Sequence, residues 1–329
     1  MKNDEKTVYY ESVFAEHMAD FIRYKRAQGL KYTAVPLSLR SFSRFLAKKN
    51  TDSSSVNKEL VEEWCSFRLN EKKQTQTRRI IETTEFLKYL SENGVSVHLP
   101  RKTRRHQTGV SFVPYIFSQE ELRQFFHVCD QISIRKPSVM PAVLPVLFRL
   151  LLGCGLRISE ALGLTCGDVD LENGLLTIRF SKYNKDRIVP LSDSMLTVLR
   201  GYSSVYHKLR KKESSLFFIH RDGRTINTDN IYRWYRKILW SAGISHGGRG
   251  NGPRVHDFRH TFSVYSLKSM TDKGMDIYCA LPVLSTYLGH ASISATGKYV
   301  RLTQDMFPEI ITKSSAIAAY IIPNGAVHS

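Results

Sequence analysis

The sequence predicts a mainly α-helical protein with a small antiparallel β-sheet, divided into an all-helical domain and a mixed α+β domain. Three observations carry this. Apolar residues recur at i, i+3 and i+4 through the first hundred positions and again after residue 116. A dense basic stretch with no apolar periodicity, 99–115, interrupts them. Two short aliphatic runs, Leu175–Phe180 and Arg187–Leu191, flank a polar turn. A period near 3.6 marks helix, and paired aliphatic runs around a turn mark a hairpin.

In the first domain, 1–98, four stripes follow one another: Phe14, Met18, Phe21 and Ile22; Leu39, Phe42, Phe45 and Leu46; Leu60, Val61, Trp64 and Phe67; and Ile80, Ile81, Phe86, Leu87 and Leu90. Gly29 is placed to end the first helix, and the polar run Asn50–Ser55 separates the second from the third. Helical spacing makes these aromatics core residues rather than platforms for stacked bases. The linker, 99–115, contains Arg101, Lys102, Arg104 and Arg105. It reads either as a solvated tether or as one that touches phosphates.

The second domain, 116–312, opens on Ser118-Gln-Glu-Glu121, a capping-box pattern ahead of Leu122, Phe125 and Phe126. The apolar run Ala142–Leu152 forms the next helix, closed by Gly153 and Gly155. The hairpin follows, with a third short strand expected at Leu216–Ile219, and helices fill most of the rest. In the tail, 313–329, the run Ser314–Ile322 is apolar enough for a short helix that packs on its own domain or docks on a neighbour.

Charge narrows the partner. Lys and Arg number 48 against 30 Asp and Glu, a net +18 whose self-repulsion favours an anionic partner. Nucleic acid is the first candidate, and an acidic membrane surface is the alternative. The five cysteines, Cys65, Cys129, Cys154, Cys166 and Cys279, form no CxxC pair and read as reduced thiols. Neither a secretory apolar segment nor a run of roughly 20 apolar residues is present, so a cytoplasmic protein is expected.

Four segments each put a cationic or proton-transferring side chain at a helix or hairpin end. In Gly153-Cys-Gly-Leu-Arg157-Ile-Ser-Glu160, two glycines make a tight turn and Arg157 starts a helix, where it could meet an anion or simply pair with Glu160. The hairpin tip Ser181-Lys182-Tyr-Asn-Lys185-Asp-Arg187 is basic, although turn lysines are usually just solvated. In Arg254-Val-His256-Asp-Phe-Arg259-His260-Thr-Phe262, His256 and Arg259 share a helical face while Phe258 and Phe262 anchor another. His260 reads as a hydrogen-bonded structural histidine. Finally, Gly289 caps a helix before His290, and Tyr299 lies nine residues later in a polar, turn-rich stretch. Each segment is weak alone.

In this order the four resemble the tyrosine recombinase, or phage integrase, family, whose pattern runs Arg, hairpin Lys, HxxR, then Leu-Gly-His and a Tyr. The strings GLRISEAL, SKYNKDRIVPL, HDFRHTF and LGH carry the resemblance through 116–300, and the N-terminal helices look more loosely like the family's SAM-like core-binding domain. The resemblance implies a C-shaped clamp on duplex DNA, with Tyr299 as nucleophile and Arg157 and Arg259 on the scissile phosphate. Lys182 would be the general acid, His256 the proton-transfer residue and His290 a second phosphate-stabilising group. Glu160 would support Arg157, and Arg101, Lys102, Arg104, Arg105, Lys185 and Arg187 would contact DNA. It also implies a homo-tetramer on double-stranded DNA core sites, a 3′-phosphotyrosine, a Holliday junction, and an accessory DNA-bending or directionality factor as a further partner.

The chemistry is coherent. A tyrosine hydroxyl with an ordinary pKa near 10 needs a proton acceptor or a cationic surrounding to attack, and forked guanidiniums match phosphate oxygens. The sequence shows neither a metal-ligand cluster nor a GxxxxGK[ST] loop, so no metal, cofactor or ATP is expected. Arg259 and His290 stand 31 positions apart, and the extra length, 271–282, reads as a loop. Around it, Asp276-Ile-Tyr and Leu281–His290 resemble integrases of mobile elements. Xer-type dimer resolution, a type IB topoisomerase-like or telomere-resolving enzyme, and a non-catalytic DNA-binding regulator are the rivals.

Overall fold

The computed structural model describes residues 8–49, 51, 55–100, 113–133, 138–179, 186–206, 214–220, 222–247, 252–290, 292 and 294–307. The chain divides into two compact units, Met1–Ser111 and Phe112–Ser329.

The first unit contains α1 (Ala15–Ala27), α2 (Val35–Lys48), α3 (Lys58–Cys65) and α4 (Lys73–Glu92). Their stripes converge on Phe21, Phe42, Trp64 and Phe86, all essentially solvent-free. The Trp64 indole N–H, which needs a partner when buried, donates to Thr83 Oγ1 at 2.9 Å. Gly29 follows α1 at φ +82°, a left-handed residue where the chain leaves the helix. Two expectations need correction. The unit is not purely helical: β1 (Ser55–Val56) and β2 (Ser96–Val97) form a two-residue parallel ladder that satisfies extended backbone on either side of α3 and α4. Phe67 is not core either. Ser66 turns extended at ψ 154° and ends α3, so Phe67 leaves the helical phase and is 60% exposed.

In the second unit α5 (Gln119–Asp130) starts on the anticipated capping box, Ser118 accepting from the Glu121 N–H while the Glu121 carboxylate accepts from that of Ser118. The apolar α6 (Met140–Cys154) ends on Gly155, left-handed at φ +59°, where a Cβ would run into the Phe262 ring. After α7 (Ile158–Gly163), β3 (Val169–Asp170), β4 (Leu175–Ile178) and β5 (Arg187–Pro190) form an antiparallel sheet in that order. Leu176 opposes Val189, both buried, so one face of the hairpin packs inward. The third strand therefore precedes the hairpin; residues 216–219 contribute only isolated bridges, from Leu216 to Thr165 and from Ile219 to Thr225.

Among the described residues five helices follow: α8 (Asp193–Tyr206), α9 (Thr228–Ser241), α10 (Asp257–Asp272), α11 (Ile277–Leu288) and α12 (Ser294–Met306). α10 is the hub, packed against α6, α11 and α12. Phe258 inserts among Phe117, Phe125, Phe148 and Tyr235. The extra length, 271–282, is mostly not a loop: it is the end of α10, a four-residue turn at 273–276 and the first half of α11. Asp276 caps α11 by accepting from the Tyr278 and Cys279 N–H groups. No helix among the described residues is long and apolar enough to cross a membrane.

Candidate active site

Two helix ends create the site. Gly155 and Gly289 stop α6 and α11 in left-handed conformations, leaving the last carbonyls of each helix without intrahelical donors. Arg259, near the start of α10 and 1% exposed, satisfies both ends. Its Nη1 donates to Gly155 O at 2.6 Å and its Nη2 to Leu288 O at 2.7 Å. A cation at two C-termini is electrostatically well placed. Burial, then the Arg157 charge, nevertheless push its pKa down to about 10, still protonated at neutral pH.

Arg157 occupies the N-cap position of α7, with Glu160 one turn on. The Glu160 carboxylate accepts from the Arg157 backbone N–H at 2.9 Å and from its Nη1 at 2.6 Å. Arg187 grips the same carboxylate with both terminal nitrogens, at 3.1 and 2.8 Å, and its Nε donates to Tyr287 O at 3.0 Å. With Arg259 Nη1 at 4.0 Å, three guanidiniums surround one buried carboxylate. Burial alone would raise the Glu160 pKa, but the Arg187 hydrogen bonds and the Arg157 contacts win and hold it at about 2. Arg187, expected among the DNA contacts, instead turns inward and ties the hairpin to Glu160 and the end of α11.

Three histidines gather here. His256 occupies the N-cap position of α10, and His260 sits one turn later with its ring edge-to-face on it, centroids 4.8 Å apart. His290 Nδ1 lies 2.8 Å from Thr296 Oγ1. Burial first, then the neighbouring cations, push His256 and His290 down to about 4 and His260 to about 3. All three are neutral at pH 7 and so offer one donor and one acceptor each.

Tyr299 completes the group and departs from expectation in its setting: it lies within α12, 1% exposed, rather than in a turn. Its hydroxyl is 2.7 Å from His260 Nδ1. Its ring stacks on that of His290 at 6.4 Å, with Lys298 Nζ 5.1 Å from its centroid. Burial raises its pKa, while Ser263, Arg259 and Arg157 oppose the rise. The structure thus brings together Arg157, Glu160, His256, Arg259, His290 and Tyr299, and adds Arg187, expected among the DNA contacts, and His260, expected as a hydrogen-bonded structural histidine and found hydrogen-bonded to Tyr299. Lys182, Lys185, Arg101, Lys102, Arg104, Arg105 and the 313–329 tail lie outside the described residues.

A buried tyrosine among paired arginines and histidines defines a class, and comparison names it. The model of the phage integrase family matches residues 116–306, more than half of the chain. The chain belongs to that family and is a tyrosine recombinase. Among curated relatives, a "Putative integrase/recombinase y4rB" of Sinorhizobium fredii is 26% identical over 306 residues, covering 92% of this chain and 97% of the relative. The tyrosine recombinase XerC of Chlorobaculum parvum is 30% identical over 258 residues, covering 72% of this chain and 71% of the relative. The fold is similar to that of the Tn1549 transposon integrase, solved with transposon right end DNA, with TM-score 0.61 and 15% identity over 89% of this chain and 99% of that one.

Proposed function

We propose that this chain is a site-specific DNA recombinase that cuts and rejoins duplex DNA through a 3′-phosphotyrosine at Tyr299. The observation that carries the reading is the Tyr299 hydroxyl, buried beside a cluster in which Arg157 and Arg259 share one carboxylate. Bound there, a phosphodiester would be held by forked donors from both arginines. His290 would stabilise the charge that develops on the phosphorane, His256 would serve proton transfer, and Lys182 would protonate the leaving 5′ oxygen. Phosphoryl transfer depends mainly on such positioning and charge stabilisation. The tyrosyl ester conserves the energy of the broken diester, so rejoining needs no nucleotide cofactor.

The fuller cycle has four protomers on two double-stranded core sites, a Holliday junction between the two strand exchanges, an accessory DNA-bending or directionality factor, and a cytoplasmic setting. Integration or excision of a mobile element is the favoured role, supported by the near full-length likeness to an integrase/recombinase. Xer-type dimer resolution is the second reading, supported by the XerC likeness. The test is a nicked suicide duplex carrying the core site. The wild-type chain should accumulate a covalent adduct at the 3′ end of the cut strand, and Tyr299→Phe should bind the same DNA without forming it. Adduct formation by the Phe variant would overturn the reading. Junction formation only with two sites separates a recombinase from a topoisomerase-like enzyme.

A further inference from the structure

The geometry points to His260 as a positioning residue for Tyr299: its Nδ1 accepts a hydrogen bond from the hydroxyl and fixes where the oxygen lone pairs face. This rests on the reading of Tyr299 as nucleophile. The two groups meet at 2.7 Å across the packed pair α10 and α12, 39 residues apart in sequence and both buried. A phenol is the stronger donor and a neutral imidazole nitrogen the stronger acceptor, which sets the direction of the bond. The edge-to-face contact with His256 fixes the imidazole plane. A phenol has one hydrogen; while His260 holds it, the remaining electron pairs are turned away from His260 toward phosphorus. As the Tyr299 O–P bond forms and the P–O5′ bond breaks, that hydrogen leaves to His256, the proton-transfer residue of the proposed function, while Lys182 protonates the 5′ oxygen. An undirected hydroxyl would sample several torsions, and attack requires one.

His260 is an acceptor here and not a base. It is faced by His256 and Arg259 of its own helix, by Lys298 and Tyr299 of α12 and by His290, and burial followed by these charges holds it near 3. Tyr299 stands above its ordinary 10.0. Both shifts oppose handing the proton to His260, so the bond serves to orient the hydroxyl.

The experiment is single-turnover adduct formation by the full chain on the suicide duplex, with His260→Leu and His260→Asn. Asparagine can place Oδ1 near the Nδ1 position and accept the hydrogen bond, yet it cannot take a proton at physiological pH. Leucine should slow adduct formation about ten-fold at saturating DNA, roughly 1.4 kcal/mol, and leave the half-saturating DNA concentration within about two-fold. Asparagine should recover most of that rate with the wild-type pH profile. An Asn variant as slow as Leu, while melting and binding like wild type, makes His260 a proton acceptor and overturns the proposal. So does a Leu variant that cleaves at the wild-type rate, or an Asn variant that does not fold, which would leave His260 a packing residue. If only Leu misfolds, the rate and pH profile of Asn decide by the same criteria. Adducts formed by Tyr299→Phe in an otherwise wild-type chain strike the underlying reading alone.

Discussion

Glu160→Gln tests the electrostatic frame of the site. The carboxylate lies between Arg157 and Arg187, 2.6 and 2.8 Å from their nearest nitrogens, with Arg259 at 4.0 Å. Its pKa of about 2 against an ordinary 4.5 makes the charged form worth roughly 3 kcal/mol more in the folded chain than in the unfolded one, at 1.36 kcal/mol per pH unit. Glutamine keeps the shape but replaces one acceptor oxygen with a donor facing a guanidinium, and three cations lose their counter-charge. For a unit of this size the loss should lower the melting temperature by roughly 6–12 °C at pH 7. The sign of the pH dependence is fixed. Because the folded pKa is depressed, this stabilisation is present above about 4.5 and disappears as the pH falls toward about 2. Thermal melts of wild type and variant at stepped pH should therefore converge in that window. Single-turnover cleavage should fall as well, since Arg157 loses its anchor. A variant melting within about 2 °C of wild type at pH 7, or a difference that ignores acid pH, would refute this account of Glu160.

Arg187→Ala breaks a buried pair and should cost about 3 kcal/mol of stability in denaturant unfolding, while the salt dependence of DNA binding stays as in wild type. A phosphate contact would instead lower that slope by about one and spare stability. Gly289→Ala places a side chain at φ +64°, where its Cβ would lie 3.1 Å from Arg187 Cδ. A loss of about 1–2 kcal/mol is expected, and unchanged stability would mean that the helix end readjusts freely. A 5′-bridging sulfur leaves without a proton, so it should rescue cleavage by Lys182→Ala; rescue of Lys185→Ala alone would move the general-acid role to Lys185.

Helical stripes made the four N-terminal helices legible, because Phe21, Phe42, Trp64 and Phe86 fall on faces that must be covered. Where the reading slipped, a local signal had been outvoted. Phe67 continues the α3 stripe on paper, but the extended Ser66 takes it off the helix. Leu216–Ile219 has strand composition, yet Val169–Asp170 takes the sheet edge because it leads directly into the β4 turn. The 271–282 segment contains Gly274 and Pro282 and so reads as loop, although a single left-handed Gly274 and the Asp276 cap suffice to join two helices.

At the site, residue identity was legible and orientation was not. Tyr299 follows Ser, Thr and Gly, weak helix formers, so its stretch reads as turn. Packing on α10 and α11 overrides propensity there. Thr296, Tyr299, Val300 and Thr303 are all buried at i, i+3, i+4 and i+7, a helical stripe concealed by its two threonines. His260 was read as hydrogen-bonded, as it is, but its partner was not legible, for a related reason. α10 is buried on most of its circumference, so a one-face rule cannot rank its residues. Arg259 is directed at two helix ends, and the next residue in sequence turns about 100° away, which brings His260 onto α12. The HxxR pattern therefore fixes more than its two named residues. Once Arg259 is committed to Gly155 and Leu288, the side chain beside it is turned to the Tyr299 hydroxyl and the His256 ring.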